Sequence, residues 1–213
     1  MKKVHYLLIL IPIIFVILVF VEKDFVFRAG VSGSCALILI LAGDKNLSRH
    51  TIWLVIAALL VSIPADWFLC NKRGMEIRFV YGIALFFLAH CGYLAFTLKN
   101  GKINKKTLIG LLTVYLIFFI VMLMPSISNG VLLAAVLMYL IISCLSVAGA
   151  VGLKTDKFTR WIFAFGIGLL AFSDTIIALK EFGGYREYGF LILPTYFASH
   201  IVVTLALMKK EST

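Results

Sequence analysis

The sequence predicts an all-α, polytopic membrane protein in which eight transmembrane helices form a bundle around a polar cavity. The first observation is composition: 62% of the 213 residues are hydrophobic, 14% are charged, and the mean hydropathy is +1.07. Such values are typical of chains that span a bilayer. The second is patterning, because apolar runs of about 20 residues recur with only short polar stretches between them. We therefore expect a single transmembrane domain over residues 1–213.

Eight apolar spans follow one another along the chain. They are Val4–Val21, Phe25–Ala42, Thr51–Cys70, Met75–Leu98, Thr107–Met124, Val131–Leu153, Phe158–Leu179 and Tyr188–Met208. The first run is longer than the roughly 7–15 apolar residues of a signal-peptide core, and no small-residue cleavage site follows it, so we interpret it as a helix. The fifth and sixth spans are separated by PSISNG at Pro125–Gly130, because Pro, Ser, Asn and Gly favour a tight turn.

The basic residues are distributed unequally between the two sides of the predicted bundle. When successive connections are assigned to alternate sides, 13 of the 20 Lys and Arg residues fall on the side of both termini and 7 on the other. Cytoplasmic loops carry an excess of Lys and Arg, so we expect an inner (cell) membrane protein with both termini in the cytoplasm. The net charge of +10 does not predict a nucleic-acid partner, because no connection is long enough to present a binding groove.

Two carboxylic acids lie well inside the apolar spans. Asp66 is in the third span and Asp174 in the seventh, and neither has a basic residue within four positions. An ionisable group at membrane depth is costly unless it faces a protein-lined or watered cavity. We therefore expect the two aspartates to share one interior site near the outer ends of their helices. A structural role, in which each carboxyl group hydrogen-bonds between helices, remains the alternative.

Other polar residues recur three or four positions apart on several spans, which places them on one face of each helix. Together these faces predict a polar interior. The supporting residues that we expect around the two aspartates are His90, Tyr93, Tyr139, Tyr196 and His200. For each of them, a hydrogen bond to a neighbouring backbone carbonyl is the structural alternative.

No metal or cofactor is predicted. His90 and His200 are not part of a paired metal-binding motif, although a loose site of two His and two Asp residues remains an alternative. The cysteines are scattered singly through apolar spans, which is typical of buried thiols and predicts no disulfide framework. They are Cys35, Cys70, Cys91 and Cys144.

Several strings in the sequence resemble the YhhN-like family of eight-helix membrane proteins, which includes the lysoplasmalogenases. They are FVYGIALFFLAHCGYLAF on the fourth span, Tyr139-x-x-Ile142 on the sixth, GIGLLAFSDTIIAL on the seventh and PTYFASH on the eighth. The resemblance covers most of the chain from about the second span. Three positions depart from the family's usual pattern: Ala65 replaces a Gly before Asp66, His200 replaces a Gln, and Arg28-Ala29 replaces a frequent Lys-Pro.

The resemblance implies a hydrolase that cleaves the vinyl ether bond of lysoplasmalogen-type lysophospholipids to a fatty aldehyde and a glycerophospho head group. Membrane lipids are the other expected partners. The chemistry suits two carboxyl groups, because a protonated one can donate to the β-carbon while an ionised one stabilises the oxocarbenium ion and activates water. Asp66 and Asp174 are the predicted pair, with their roles unassigned. Arg28 and Arg78 are predicted to hold the substrate phosphate, and snorkelling to the interface is the alternative.

A small-solute or proton-coupled transporter is the alternative from a different functional class. In that hypothesis Asp66, Asp174, His90 and His200 form a proton relay. Discontinuous helices would favour transport, and only Pro64 and Pro194 hint at them, each near the end of a span. The enzyme hypothesis is preferred chiefly because of the family resemblance.

Overall fold

The computed structural model describes residues 7–43, 49–71, 74 and 76–208. These residues form eight α-helices: α1 Leu10–Glu22, α2 Phe25–Ala42, α3 Arg49–Cys70, α4 Glu76–Asn100, α5 Lys105–Phe118, α6 Gly130–Val151, α7 Lys157–Phe182 and α8 Ile192–Leu207. A π-helical segment, Phe119–Leu123, and a 3₁₀ turn, Met124–Ser126, extend α5. A further 3₁₀ helix, Arg186–Leu191, precedes α8.

The predicted all-α fold is confirmed, whereas the predicted count of eight membrane spans is not. Within the described ranges, seven helical segments are long and apolar enough to cross a membrane, while α1 is a shorter apolar helix of 13 residues. The predicted starts of the first span at Val4 and of the fourth at Met75 lie outside the described residues, as do several of the basic residues counted for orientation. The predicted turn between the fifth and sixth spans is present, because the Asn129 side chain accepts hydrogen bonds from the first backbone N–H groups of α6.

One predicted boundary was wrong in a way that matters for the site. The seventh span was expected to end at Leu179, but α7 continues to Phe182 and includes Lys180 in its last turn. A basic residue there is favourable because the C-terminal end of a helix carries partial negative charge. The residue that caps this helix end is Gly183, whose backbone N–H donates a hydrogen bond to the carbonyl of Leu179.

Six helices (α2, α3, α4, α6, α7 and α8) form a closed ring in which each packs against the next, while α1 packs outside on α2 and α5 on α6. At one end of the ring, Gly101 after α4 pairs with Leu153 after α6, and Gly43 pairs with Met208 at the ends of α2 and α8. We call this the closed end.

Large apolar side chains fill the ring towards the closed end. Phe96 of α4 and Phe163 of α7 are fully buried, and their ring centroids lie 5.2 Å apart. Leu207 of α8 is buried beside them in the same apolar cluster. Because the interior is packed at the closed end, a binding site inside the ring is expected towards the opposite end.

Gly166 allows α7 and α8 to approach closely. A Cβ atom built on Gly166 would lie 2.8 Å from Cγ2 of Val203 and 3.0 Å from its backbone nitrogen. Gly168, on the same helix, faces open space: apart from its chain neighbours and the backbone of its own helix, no atom of the described residues lies within 4 Å of an added Cβ. Small residues at helix contacts are typical of membrane proteins, and here only one of the two glycines is required by packing.

Gly166→Ala is expected to lower the free energy of unfolding by about 1–3 kcal/mol, because the added methyl group must displace the α8 backbone. Thermal unfolding of the purified protein in detergent measures the effect. Gly168→Ala is the matched control, and it is expected to be neutral or to stabilise the helix by about 0.5–1 kcal/mol. Equal melting temperatures for the two variants would contradict the close packing of α7 on α8.

Candidate functional site

A cavity of about 230 Å³ lies at the end of the ring opposite the closed end. It brings together residues of α2, α3, α4, α7 and α8, so it exists only because the ring closes. Both intramembrane aspartates line it. Its polar lining residues are Arg28, Asp66, Cys70, Asp174, Lys180, Glu181 and Tyr196.

Asp66 is almost completely buried, with 7% of its surface exposed. The hydroxyl group of Tyr196 donates a hydrogen bond to Oδ2 of Asp66 over 2.8 Å, which joins α8 to α3. The Tyr196 ring is held edge-on by Phe86 at 5.8 Å and contacts the His200 ring at 4.4 Å. This carboxyl group is therefore fixed in position and receives a hydrogen bond from a rigid donor.

Asp174 has a different partner and is slightly more open, with 12% of its side chain exposed. Nε2 of His90, a fully buried residue of α4, lies 3.1 Å from Oδ2 of Asp174. Oγ of Ser143 lies 3.4 Å from the same nitrogen. A protonated Nε2 donates to the carboxylate, and a protonated carboxyl group donates to a bare Nε2, so the pair can hold one proton at either atom.

Asp174 also lies at the boundary between the main cavity and two smaller pockets. One of about 50 Å³ is lined mainly by apolar residues and shares Phe79 and Phe86 with the main cavity. The other, of about 40 Å³, includes Ser143. Tyr139 lines both small pockets, and its buried hydroxyl group has no hydrogen-bond partner within the described residues. One face of Asp174 is therefore turned to polar groups and another to an apolar space.

The model of the YhhN family matches residues 26–207 of the chain. That range contains every residue of the cavity and pockets described above. The chain belongs to the YhhN family. No curated protein and no solved structure shows significant similarity to it. The matched region begins at the second residue of α2 and ends with the last residue of α8, so α1 lies outside it.

Five residues expected around the site in this YhhN-family chain do not line the main cavity: His90 and Tyr139, described above beside Asp174, and Tyr93, His200 and Arg78. Tyr93 is fully buried in the apolar core, and His200 is fully buried behind Tyr196. Arg78 donates a hydrogen bond of 2.6 Å to the backbone oxygen of Asn71, just after α3. Helical spacing places side chains on a common face, but it does not show how deep along that face the cavity extends.

His200 has a structural partner of its own. Its Nδ1 lies 3.0 Å from Oγ of Ser32, which links α8 to α2. Because the ring also contacts Tyr196, His200 supports the residue that donates to Asp66. We therefore expect that position 200 requires a side chain of similar size that can form this hydrogen bond. It does not require a titratable group.

His200→Gln is expected to leave the melting temperature of the YhhN-family protein nearly unchanged, since an amide can keep the hydrogen bond to Ser32. His200→Leu is expected to lower the free energy of unfolding by about 1–3 kcal/mol, because it leaves a buried hydroxyl group without that partner. Thermal unfolding of both purified variants checks this. If both variants lose the same free energy of unfolding, the hydrogen bond to Ser32 does not account for the contribution of His200 to stability.

The sequence-based prediction missed two charged residues and one tyrosine contact. Lys180 and Glu181 line the cavity, but they lie beyond Leu179, where the sequence predicts that the seventh span ends. The hydroxyl group of Tyr115 lies 2.8 Å from Oγ1 of Thr175, which ties α5 to the helix of Asp174. The signal for Glu181 was present, since it follows Asp174 by seven positions, which places both on one face of a helix.

The loose alternative of a metal site with two His and two Asp residues does not match this arrangement. His90 is bonded to Asp174, whereas His200 is bonded to Ser32. Within the described ranges, no three His, Cys, Asp or Glu side chains are grouped closely enough to hold one metal ion.

Proposed function

We propose that this YhhN-family protein is a membrane-embedded hydrolase that cleaves the vinyl ether bond of lysoplasmalogen-type lysophospholipids. Its products are a fatty aldehyde and a glycerophospho head group. The observation that supports this most is that Asp66 and Asp174 line one cavity although they lie on different helices. Two carboxyl groups in different surroundings are suited to acid–base chemistry through an oxocarbenium ion.

The charges of the cavity support one orientation of the substrate. Arg28 and Lys180 line it, and both are suitable partners for a phosphate group. The adjoining pocket is lined mainly by apolar residues and suits the hydrocarbon chain. The vinyl ether joins these two parts of the lipid, so it would lie beside Asp174, which borders both spaces.

This orientation assigns separate roles to the two aspartates. Asp174, with its proton shared with His90, would protonate the β-carbon of the vinyl ether, which lies on the hydrocarbon side. Asp66, which accepts the hydrogen bond of Tyr196 and shares the cavity with the positive charge of Arg28, would act in its ionised form on the head-group side, where it stabilises the oxocarbenium ion and accepts a proton from the attacking water. That water adds to the α-carbon and forms a hemiacetal.

Collapse of the hemiacetal restores both residues. Asp174, now ionised, accepts the hydroxyl proton as the carbonyl group forms. Asp66, now protonated, donates to the departing glycerol oxygen as the carbon–oxygen bond breaks. One water is consumed, one aldehyde and one alcohol are formed, and each carboxyl group returns to its starting state, as in general acid–base catalysis with two carboxyl groups.

The bundle supports a site open at one end better than the path through the membrane that a transporter needs. Phe96 and Phe163 fill the ring between the cavity and the closed end. The distribution of Lys and Arg along the sequence favours cytoplasmic termini. With that orientation in the inner membrane, the cavity would open towards the outer surface, where a lysophospholipid head group can enter.

A panel of lysolipids tests the proposed function. Purified protein is incubated with vinyl ether, alkyl ether and acyl lysophospholipids, and released aldehyde is trapped as a hydrazone for mass spectrometry. We expect aldehyde from the vinyl ether lipid alone, because the alkyl ether has no double bond to protonate. Release of fatty acid from the acyl lipid, without aldehyde from the vinyl ether lipid, would contradict the proposal.

A further inference from the structure

An apolar groove of about 670 Å³ runs along the outside of the ring between α4 and α6, near their ends on the cavity side. Small residues line its α6 wall, among them Gly130, Ala134 and Ala135. On the α4 wall, Ala84 is exposed and Phe87 is partly buried. Among the described residues, no charged side chain lines the groove, so its surface matches hydrocarbon.

The groove adjoins the small apolar pocket beside the cavity at one shared residue. Ile83 lines both the groove and the small apolar pocket beside Asp174. That pocket in turn shares Phe79 and Phe86 with the main cavity. The cavity, the narrow pocket and the groove therefore follow one another in that order, with Ile83 between the last two. In the part of the chain that the structure describes, Arg28, Asp66, Lys180 and Glu181 line the cavity alone, Asp174 lines the cavity and the narrow pocket, and the groove has no charged lining residue.

We propose that this groove binds the hydrocarbon chain of a single-chain lipid whose head group occupies the cavity. We infer this occupant from the match in polarity, because the cavity is lined by charged residues whereas the groove is lined by apolar ones. Ile83 stands where the narrow pocket of about 50 Å³ meets the groove, so it controls passage of the chain. The head-group chemistry rests on the proposed function, but the path of the chain does not.

Photolabelling of the wild-type protein tests the path without requiring hydrolysis. The probe is a saturated alkyl ether lysophospholipid with a diazirine at the end of its chain. Irradiation followed by peptide mass spectrometry is expected to place the label on α4 and α6, at Ala84, Phe87, Ala134 or Ala135. Competition by unlabelled lysolipid should remove it. Label at another pair of helices, or label spread evenly over the lipid-facing surface, would overturn the proposal.

A substitution at the junction provides a second test. Ile83→Trp is expected to lower turnover of a long-chain vinyl ether lysolipid by roughly tenfold or more, because overpacking blocks the chain. A short-chain homologue that ends inside the cavity should be turned over almost as fast as by the wild type. The matched control is Ile117→Trp, at an exposed position on α5, which should change neither rate.

The two proposals fail in different ways. A wild-type protein that releases no aldehyde from any vinyl ether lipid would end the proposed function, while labelling in the groove would still support the chain path. Conversely, normal aldehyde release together with equal losses for the long and short lipids in Ile83→Trp would overturn the chain path alone. If Ile83→Trp does not fold, the position of the photolabel in the wild type decides the question.

Discussion

Asp174→Asn and Asp66→Asn are each expected to lower aldehyde release by about 10²–10⁴-fold, the usual contribution of a general acid or base. An amide nearly preserves the shape of the carboxyl group and can still hydrogen-bond with His90 or Tyr196, so both variants should remain folded and extractable. It can neither deliver the proton nor carry the stabilising charge. The double variant should be little worse than either single one, because residues that act as a unit fail together.

Melting temperatures measured alongside the turnover separate catalysis from structure. Both variants should melt at or above the wild-type temperature, because the desolvation cost of a buried ionisable group disappears. His90→Ala should reduce turnover less, since it removes only the partner of Asp174 and leaves the carboxyl group in place. Near wild-type turnover in either Asn variant would contradict the mechanism. If both Asn variants unfold, the two aspartates have a structural role instead of a catalytic one.

Arg28→Ala is expected to lower kcat/KM for a phosphate-bearing vinyl ether lysolipid by about 10–100-fold, mainly through KM. Hydrogen bonds to charged groups contribute about 1.5–3 kcal/mol, and about 1.4 kcal/mol corresponds to a tenfold change. A 1-alkenylglycerol, which has no phosphate, should be turned over by the variant and the wild type at similar kcat/KM. Steady-state kinetics on the two substrates measures the difference.

Arg78→Ala is the matched control for Arg28. Arg78 bonds to the backbone of Asn71 and does not line the cavity, so its loss should lower stability without a preference between the two substrates. Lys180→Ala should behave like Arg28→Ala, to a smaller degree, because an exposed ammonium group is a weaker phosphate ligand than a guanidinium. If Arg28→Ala lowers kcat/KM equally for both substrates, Arg28 has a structural role.

The helices could be predicted from the sequence because the bilayer imposes a simple condition. An α-helical segment that crosses it must be predominantly apolar for about 20 residues, and this places most boundaries within a few positions. The condition fails at helix ends, where a charged residue can belong to the last turn. Lys180 is such a case, and the error removed a cavity residue from the predicted site.

The site could be predicted only in part. Burial of a carboxyl group in an apolar run identified Asp66 and Asp174 as unusual, and the structure places them on one cavity. Their partners follow from how the ring closes: His90 reaches Asp174 across 84 positions and Tyr196 reaches Asp66 across 130. Nothing local in the sequence distinguishes Tyr196 from Tyr93, which faces the packed core, because the rotation of each helix is fixed by its neighbours.

Hydrolysis in D₂O is the most direct test of the central claim that a carboxyl group protonates the vinyl ether at its β-carbon. Purified protein is mixed with the vinyl ether lysolipid, the aldehyde is reduced at once to the alcohol, and its deuterium content is read by mass spectrometry against a protein-free control. We expect one deuterium on the carbon next to the former carbonyl group, and loss of this product in Asp174→Asn. Aldehyde released without deuterium at that carbon would contradict the mechanism.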